Sequence, residues 1–155
     1  MIIRTRRLIL RPFEKSDLNW YYSMVQDAEL VSRLKSLKVN SVAEAEKDLA
    51  IFANGDFKND FYYVITDKNE DVLGIIIAVR LTRMTTDVSY FLKKEYRHNG
   101  YMHEALAVVG EVIRDDNPVA RIRLEIEKDN TASLNVAKRF CAIIQDKGDK
   151  FMCYI

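Results

Sequence analysis

The chain has 155 residues, 48% of them hydrophobic and 30% charged, the balance of one globular domain long enough to bury a sizeable core. Lys plus Arg (24) against Asp plus Glu (23) leaves a net charge of +1, so no overall field draws the protein to nucleic acid or to an anionic membrane, and any anion is held locally. Cys141 and Cys153 have neither metal-site nor redox spacing and read as buried or half-buried thiols of a reducing cytoplasm. The start "MIIRTRRLILR" breaks each apolar run with arginine, and the longest uncharged one, "VLGIIIAV", is far short of the roughly 20 residues that span a bilayer.

In chain order, "RLILRPF" predicts a first strand, stopped near Pro12 because proline cannot donate to a ladder. Ser16 or Asp17 can cap a helix in which Leu18, Tyr21, Tyr22 and Val25 share a face. A second helix carries Val42, Ala45, Leu49 and Phe52. "FYYVIT" and "VLGIIIAVRL", joined by "DKNED", predict an antiparallel hairpin, and "DVSYFL" the next strand. Met102, Ala105, Leu106, Val109 and Ile113 form the stripe of a helix running to about Arg114. "ARIRLEIE" then alternates as a half-buried strand. "DNTASLNVAKRF" predicts a helix repeating Ala132, Val136 and Phe140, and "AIIQD" with "KFMCYI" a closing hairpin. The order implies an α/β (α+β) fold with a largely antiparallel sheet.

Between the strand "DVSYFL" and its helix lies "KKEYRHNGYMHEAL". A strand that turns directly into a helix leaves the first helical N–H groups unpaired beside the positive end of the macrodipole, which suits an anion. Gly100 lets a phosphate approach the backbone, Arg97 adds a fixed charge, and Asn99 can cap or donate. A sharp turn with a solvated arginine would look the same. There is no GxxxxGKS/T and no GxGxxG, and "HEALA" has Ala107 where a zinc helix needs its second histidine, so no metal is expected. His98 and His103 read as surface histidines.

The segments "TRRLILRPFEKSD", "DVSYFLKKEYRHNGYMHEAL" and "DNTASLNVAKRF" resemble, in order and spacing, the GNAT N-acetyltransferases, most closely the branch that includes ribosomal-protein N-terminal acetyltransferases. That family has a central mixed, mostly antiparallel twisted sheet flanked by helices. Its signature R/Q-x-x-G-x-G/A reads here Arg97-His98-Asn99-Gly100-Tyr101-Met102, departing at Met102. The resemblance implies acetyl coenzyme A as co-substrate, between two splayed strands. Backbone groups of Tyr90, Phe91 and Leu92 would hold the pantetheine arm, N–H groups from Arg97 through Met102 the pyrophosphate, and Asn130 with Ser133 the second side. Without the family, Asn130 reads as an N-cap and Ser133 as a first-turn polar residue. The tyrosine that many members use as general acid falls at Ala137, and the late "GF" at Cys141-Ala142.

The activity so implied is direct attack of a primary amine, a protein N-terminus or a small molecule, on the acetyl thioester. A carboxylate would help deprotonate the ammonium, with Asp87 and Glu125 as candidates. Strand N–H groups near Phe91 or Leu92 would polarise the carbonyl, and Ser133, or less directly Tyr154, would assist the thiolate. A solvated strand carboxylate is the plainer reading of Asp87 or Glu125 alone. A non-catalytic coenzyme A-binding sensor is the rival, motivated by Met102, Ala137 and the missing "GF". A contact module built on the "NWYYSMV" helix around Trp20 is another. Loops around 19–38 and 81–86, with Arg80 and Arg83, would select the acceptor, and a homodimer is left open.

Overall fold

The computed structural model describes residues 1–54 and 60–155. Its strands are β1 (Ile3–Arg4), β2 (Leu8–Pro12), β3 (Asp60–Asp67), β4 (Val72–Thr82), β5 (Thr85–Leu92), β6 (Arg121–Glu127), β7 (Ile143–Asp146) and β8 (Lys150–Tyr154). Its helices are α1 (Leu18–Met24), α2 (Ala28–Arg33), α3 (Val42–Ala53), α4 (Tyr101–Asp116) and α5 (Thr131–Ala137). The strands form one eight-stranded sheet in the order β1-β2-β3-β4-β5-β6-β8-β7. Every neighbouring pair is antiparallel except β5 and β6. The expected mixed, mostly antiparallel sheet flanked by helices is present. Among the described residues, no helix is long and apolar enough to cross a membrane.

Two cores follow from the period-two alternation of the central strands. Ile76, Ala78, Val88, Ile122, Leu124 and Ile126 face α4, where Met102, Ala105, Leu106, Val109 and Ile113 supply the predicted stripe. Ile75, Ile77 and Phe91 turn to the other face, onto Tyr21, Leu30, Leu49 and Phe52 of α1 to α3. Each fully buried aliphatic side chain contributes about 1.5–3 kcal/mol, so the doubly covered β3–β4 hairpin anchors the fold. Trp20 belongs to the second core rather than to a contact surface: its ring stacks on Phe13 at 5.7 Å and its Nε1–H donates to Asp17 at 2.8 Å.

Several local expectations need correction. Neither Ser16 nor Asp17 caps α1 with its side chain; the Asp17 carboxylate takes the Glu14 N–H, the Trp20 indole and both Arg11 Nη groups. Val42 is exposed in the first turn of α3. In α5 the helix ends at Ala137, which is fully buried while Ala132 is exposed, so the inward face is shifted from the one expected. α2 has no counterpart in the sequence reading. It is six residues long, capped by Asp27, whose carboxylate accepts from the Leu30 N–H at 3.0 Å, and only Leu30 is buried. A helix that short carries no period to detect.

Candidate active site

β5 and β6 pair only at Thr85↔Arg121, Thr86↔Ile122 and Asp87↔Arg123. Beyond Asp87 the strands part. The Arg121 N–H bonds the Met84 carbonyl, so even-numbered residues of β5 turn their backbone groups towards β6 and odd-numbered ones towards β4. The open edge therefore presents the C=O of Val88 and the N–H and C=O of Tyr90 and Leu92. Phe91 departs from the expected role: its carbonyl faces Gly74, where an added Cβ would lie 2.0 Å away, so its backbone is spent inside the sheet. The Leu92 carbonyl accepts from Arg97 Nε at 2.9 Å.

The splay opens onto the start of α4. His98 and Gly100 both have positive φ, 63° and 76°, and Gly100 serves as N-cap with no side-chain bond. The first bond of the helix runs from the Glu104 N–H to the Gly100 carbonyl at 3.1 Å, so the N–H groups of residues 101–103 precede it, free to meet a ligand. Met102, the departure from the signature, is 5% exposed and packs into the α4 core, so its side chain leaves that backbone clear. Asn99 does not cap the helix; its exposed side chain donates through Nδ2 to the Arg97 carbonyl at 2.9 Å.

Charge at this corner is arranged differently from expectation. Arg97 is not a free cation: its Nη1 bonds Glu29 Oε1 at 2.9 Å, and its guanidinium lies over the Phe91 ring. The hydrogen bond from Arg97 holds the Glu29 carboxyl below its usual range. Arg7, missed in the sequence, stands beside Gly100. Its Nη1 donates to the Asn99 carbonyl at 2.8 Å and its guanidinium lies 4.6 Å over the Tyr101 ring. Glu104, the acid of "GYMHEA", accepts from Thr5 Oγ1, the Arg7 N–H and Arg7 Nε. Burial would raise its carboxyl, but those bonds outweigh it and hold it low. His103 is half-buried against Phe140, ring centroids 4.3 Å apart, rather than a free surface group.

The second wall is α5. Asn130 is its N-cap, accepting from the Ser133 N–H at 3.2 Å. Together these elements enclose a cleft of about 350 Å³. It gathers Tyr90, Phe91, Leu92, Arg97, His98, Gly100, Tyr101, Met102, Asn130 and Ser133, and adds Glu29, Arg33, Asn135 and Arg139, which sequence reasoning did not single out. The Tyr90 ring crosses towards α5, its hydroxyl 3.5 Å from the Ser133 carbonyl, and burial pushes its phenol up to about 12.

Asp87, Glu125 and Tyr154 do not line the cleft. Ile122, Leu124 and Ile126 of β6 face α4, so Glu125 projects from the opposite face of the sheet, exposed and paired with Lys150 at 2.7 Å. Asp87 sits on the last β5–β6 rung, its Oδ1 accepting from Arg123 Nε at 2.7 Å. Tyr154 is opposite Arg123 on β8 and lines a separate hollow with Arg121 and Gln145. Arg80, considered for the acceptor, is paired with Asp116.

A family model described as an acetyltransferase (GNAT) domain matches residues 7–140. The chain belongs to the GNAT acetyltransferases. No curated protein sequence matches it. Among solved structures, the GNAT-family acetyltransferase from Bacillus anthracis superposes with a TM-score of 0.82 at 17% identity, covering 100% of this chain and 98% of that one. Spermidine N-acetyltransferase from Vibrio cholerae, in complex with CoA and spermine, gives 0.81 at 13% identity, covering 97% and 96%. The ribosomal L7/L12 α-N-protein acetyltransferase RimL, in complex with coenzyme A, gives 0.80 at 18% identity, covering 100% and 97%. At such identities the likeness is one of fold.

In this GNAT chain, α2 spans the mouth of the cleft. Glu29 ties it to Arg97 after β5, while Arg33 reaches Glu127 at the end of β6 and Asp129 Oδ1 at 2.6 Å just beyond. Both lips of the splay are thus held by one short helix.

Proposed function

We propose that this GNAT protein is an acetyl coenzyme A-dependent N-acetyltransferase that moves the acetyl group to a primary amine by direct attack. The observation that carries the reading is the open edge of β5 leading to the unpaired N–H groups at the start of α4. The residues present fit the coenzyme. A pantetheine arm needs strand-like partners, which Tyr90 and Leu92 supply, and a pyrophosphate needs converging donors, which residues 98–103 supply with Arg7 beside them. Asn130 and Ser133 form the second side, with Arg139 adding positive charge to the cleft.

The acceptor amine, of ordinary pKa about 8–10, arrives as an ammonium at pH 7 and has to lose a proton before attack. Asp87 is the better placed of the two carboxylates, since it stands where the strands part, and it would act through water while paired to Arg123. The N–H groups of Tyr90 or Leu92, in place of Phe91, are the strand donors for the developing oxyanion. The acceptor is a protein N-terminus or a small-molecule amine; proteins of the same fold include a spermidine and a ribosomal-protein acetyltransferase.

Calorimetric titration with acetyl coenzyme A tests the reading. Micromolar binding that Gly100→Glu abolishes, by placing a carboxylate against the phosphates, is the expected result. A folded wild-type protein that binds no coenzyme refutes it. Binding without turnover across an amine panel would leave a coenzyme-binding sensor in its place. If Asp87→Asn, Glu125→Gln and Ser133→Ala all keep wild-type turnover, the catalytic roles given to those residues fall.

A further inference from the structure

Tyr90 of β5 addresses the cleft twice. Its backbone N–H and C=O lie on the open edge, and its side chain reaches the opposite wall, where the hydroxyl meets α5 at the Ser133 carbonyl. That contact, at 3.5 Å, is at the outer limit of a hydrogen bond, and no shorter acceptor reaches this largely buried phenol among the described residues. A buried hydroxyl so weakly satisfied costs stability unless something else accepts from it. Ala137, one turn on from Ser133 on α5, belongs to the same cluster as the Tyr90 ring and carries no polar group that could accept from it.

Resting on the acetyltransfer reading above, we propose that the Tyr90 hydroxyl is a catalytic hydrogen-bond donor to the sulfur of the coenzyme. When the amine nitrogen bonds the thioester carbon and the adduct collapses, the C–S bond breaks and its electron pair stays on sulfur. Tyr90 donates its O–H to that thiolate and keeps its proton. With its phenol raised to about 12, it is too weak an acid to protonate a thiolate of ordinary pKa about 8.5. The proton that finally reaches sulfur is the one released from the acetylated nitrogen, so charge and atoms balance with no further reactant.

Coenzyme A itself supplies a test that needs no acceptor. Its thiolate absorbs near the far-ultraviolet edge, and the titration of the bound thiol is read as the difference between complex and free protein. Burial pushes the Cys141 thiol up to about 12 and raises Cys153, and subtracting the free protein removes what either contributes. In wild type the bound thiol should ionise at lower pH than free coenzyme. In Tyr90→Phe, saturated with coenzyme A as calorimetry verifies, the thiolate fraction at a given pH should fall about tenfold. Wild type showing no lowering, or Tyr90→Phe and wild type sharing one curve while both bind, overturns the role of Tyr90 and leaves the acetyltransfer reading intact. A rise confined to Ser133→Ala overturns it too, by assigning the donor to the serine. Failure of wild type to bind coenzyme A at all is the separate outcome that removes both.

Discussion

Glu104 of α4 grips Arg7 twice, its Oε1 accepting from the Arg7 N–H at 2.8 Å and its Oε2 from Arg7 Nε at 2.7 Å. Glu104→Gln replaces one acceptor oxygen with an amide donor facing the guanidinium. The Arg7 side chain is 41% exposed, so screening limits the loss to about 1 kcal/mol, or about 2–4 °C in Tm. The folded carboxyl lies below its ordinary value. Its contribution is therefore complete above the unfolded pKa and is lost as pH falls through the folded one. Thermal melts of the two proteins should differ at pH 7 and converge in acid.

Asp17 is the most deeply buried carboxylate described, 3% exposed, bound to Arg11 through both oxygens at 2.8 Å. Burial raises its carboxyl, yet the hydrogen bonds from Arg11, Trp20 and the Glu14 N–H outweigh burial and leave it below 3.8. Asp17→Asn strands the Arg11 charge and should cost about 3 kcal/mol in urea unfolding at pH 7. The folded pKa is depressed, so wild type holds this stability above the ordinary carboxylate range and loses it as pH drops through the folded value. Its advantage over the variant should shrink in acid; a pH-independent gap would mean that the pair is not the source.

At Gly74 the strands come too close for any side chain. A Cβ there would sit 2.0 Å from the Phe91 carbonyl, a backbone atom with nowhere to move unless β5 shifts. Gly74→Ala should cost about 3 kcal/mol or more, and circular dichroism with urea titration would register it. Because Phe91 and Leu92 would be displaced with it, coenzyme affinity should fall even though Gly74 does not line the cleft.

Gly100 tests backbone strain separately from ligand contact. At φ 76° an alanine pays about 1–2 kcal/mol, while its Cβ would lie 3.4 Å from Arg7 Nη2, near enough to nudge a side-chain tip but not to block it. Gly100→Ala should therefore melt about 2–8 °C lower while still binding coenzyme A. Loss of binding as complete as in Gly100→Glu would show that conformation, not charge or bulk, is what the site requires.

What the sequence made legible were features written in short range. The β3–β4 hairpin shows as two apolar runs around "DKNED", the α4 stripe as Met102 to Ile113, and the corner as Gly100 between strand and helix. The arrangement around that corner was not legible, because it depends on partners distant in the chain. Arg97 meets Glu29 across 68 positions, and Arg33 meets Asp129 across 96. Arg7 could have been noticed through Glu104, whose place in "GYMHEA" is explained by the arginine it holds. The exchange of Phe91 for Tyr90 and Leu92 on the open edge hinges on strand parity, which no composition encodes. Nor could the sequence say that β6 turns Glu125 away from the cleft while its even-numbered neighbours fill the core.

The three-rung seam between β5 and β6 also divides the molecule mechanically. On one side stand β1 to β5 with the first four helices; on the other, β6 to β8 and α5, from Arg121 onward. Few backbone bonds couple the two sides, so the smaller one is held mainly by the packing of Ile122, Leu124 and Ile126 on α4. Amide exchange should find β6 to β8 loosening before β3 and β4. A molecule lodged in the seam would act as mortar between two blocks, raising the protection of the smaller one most.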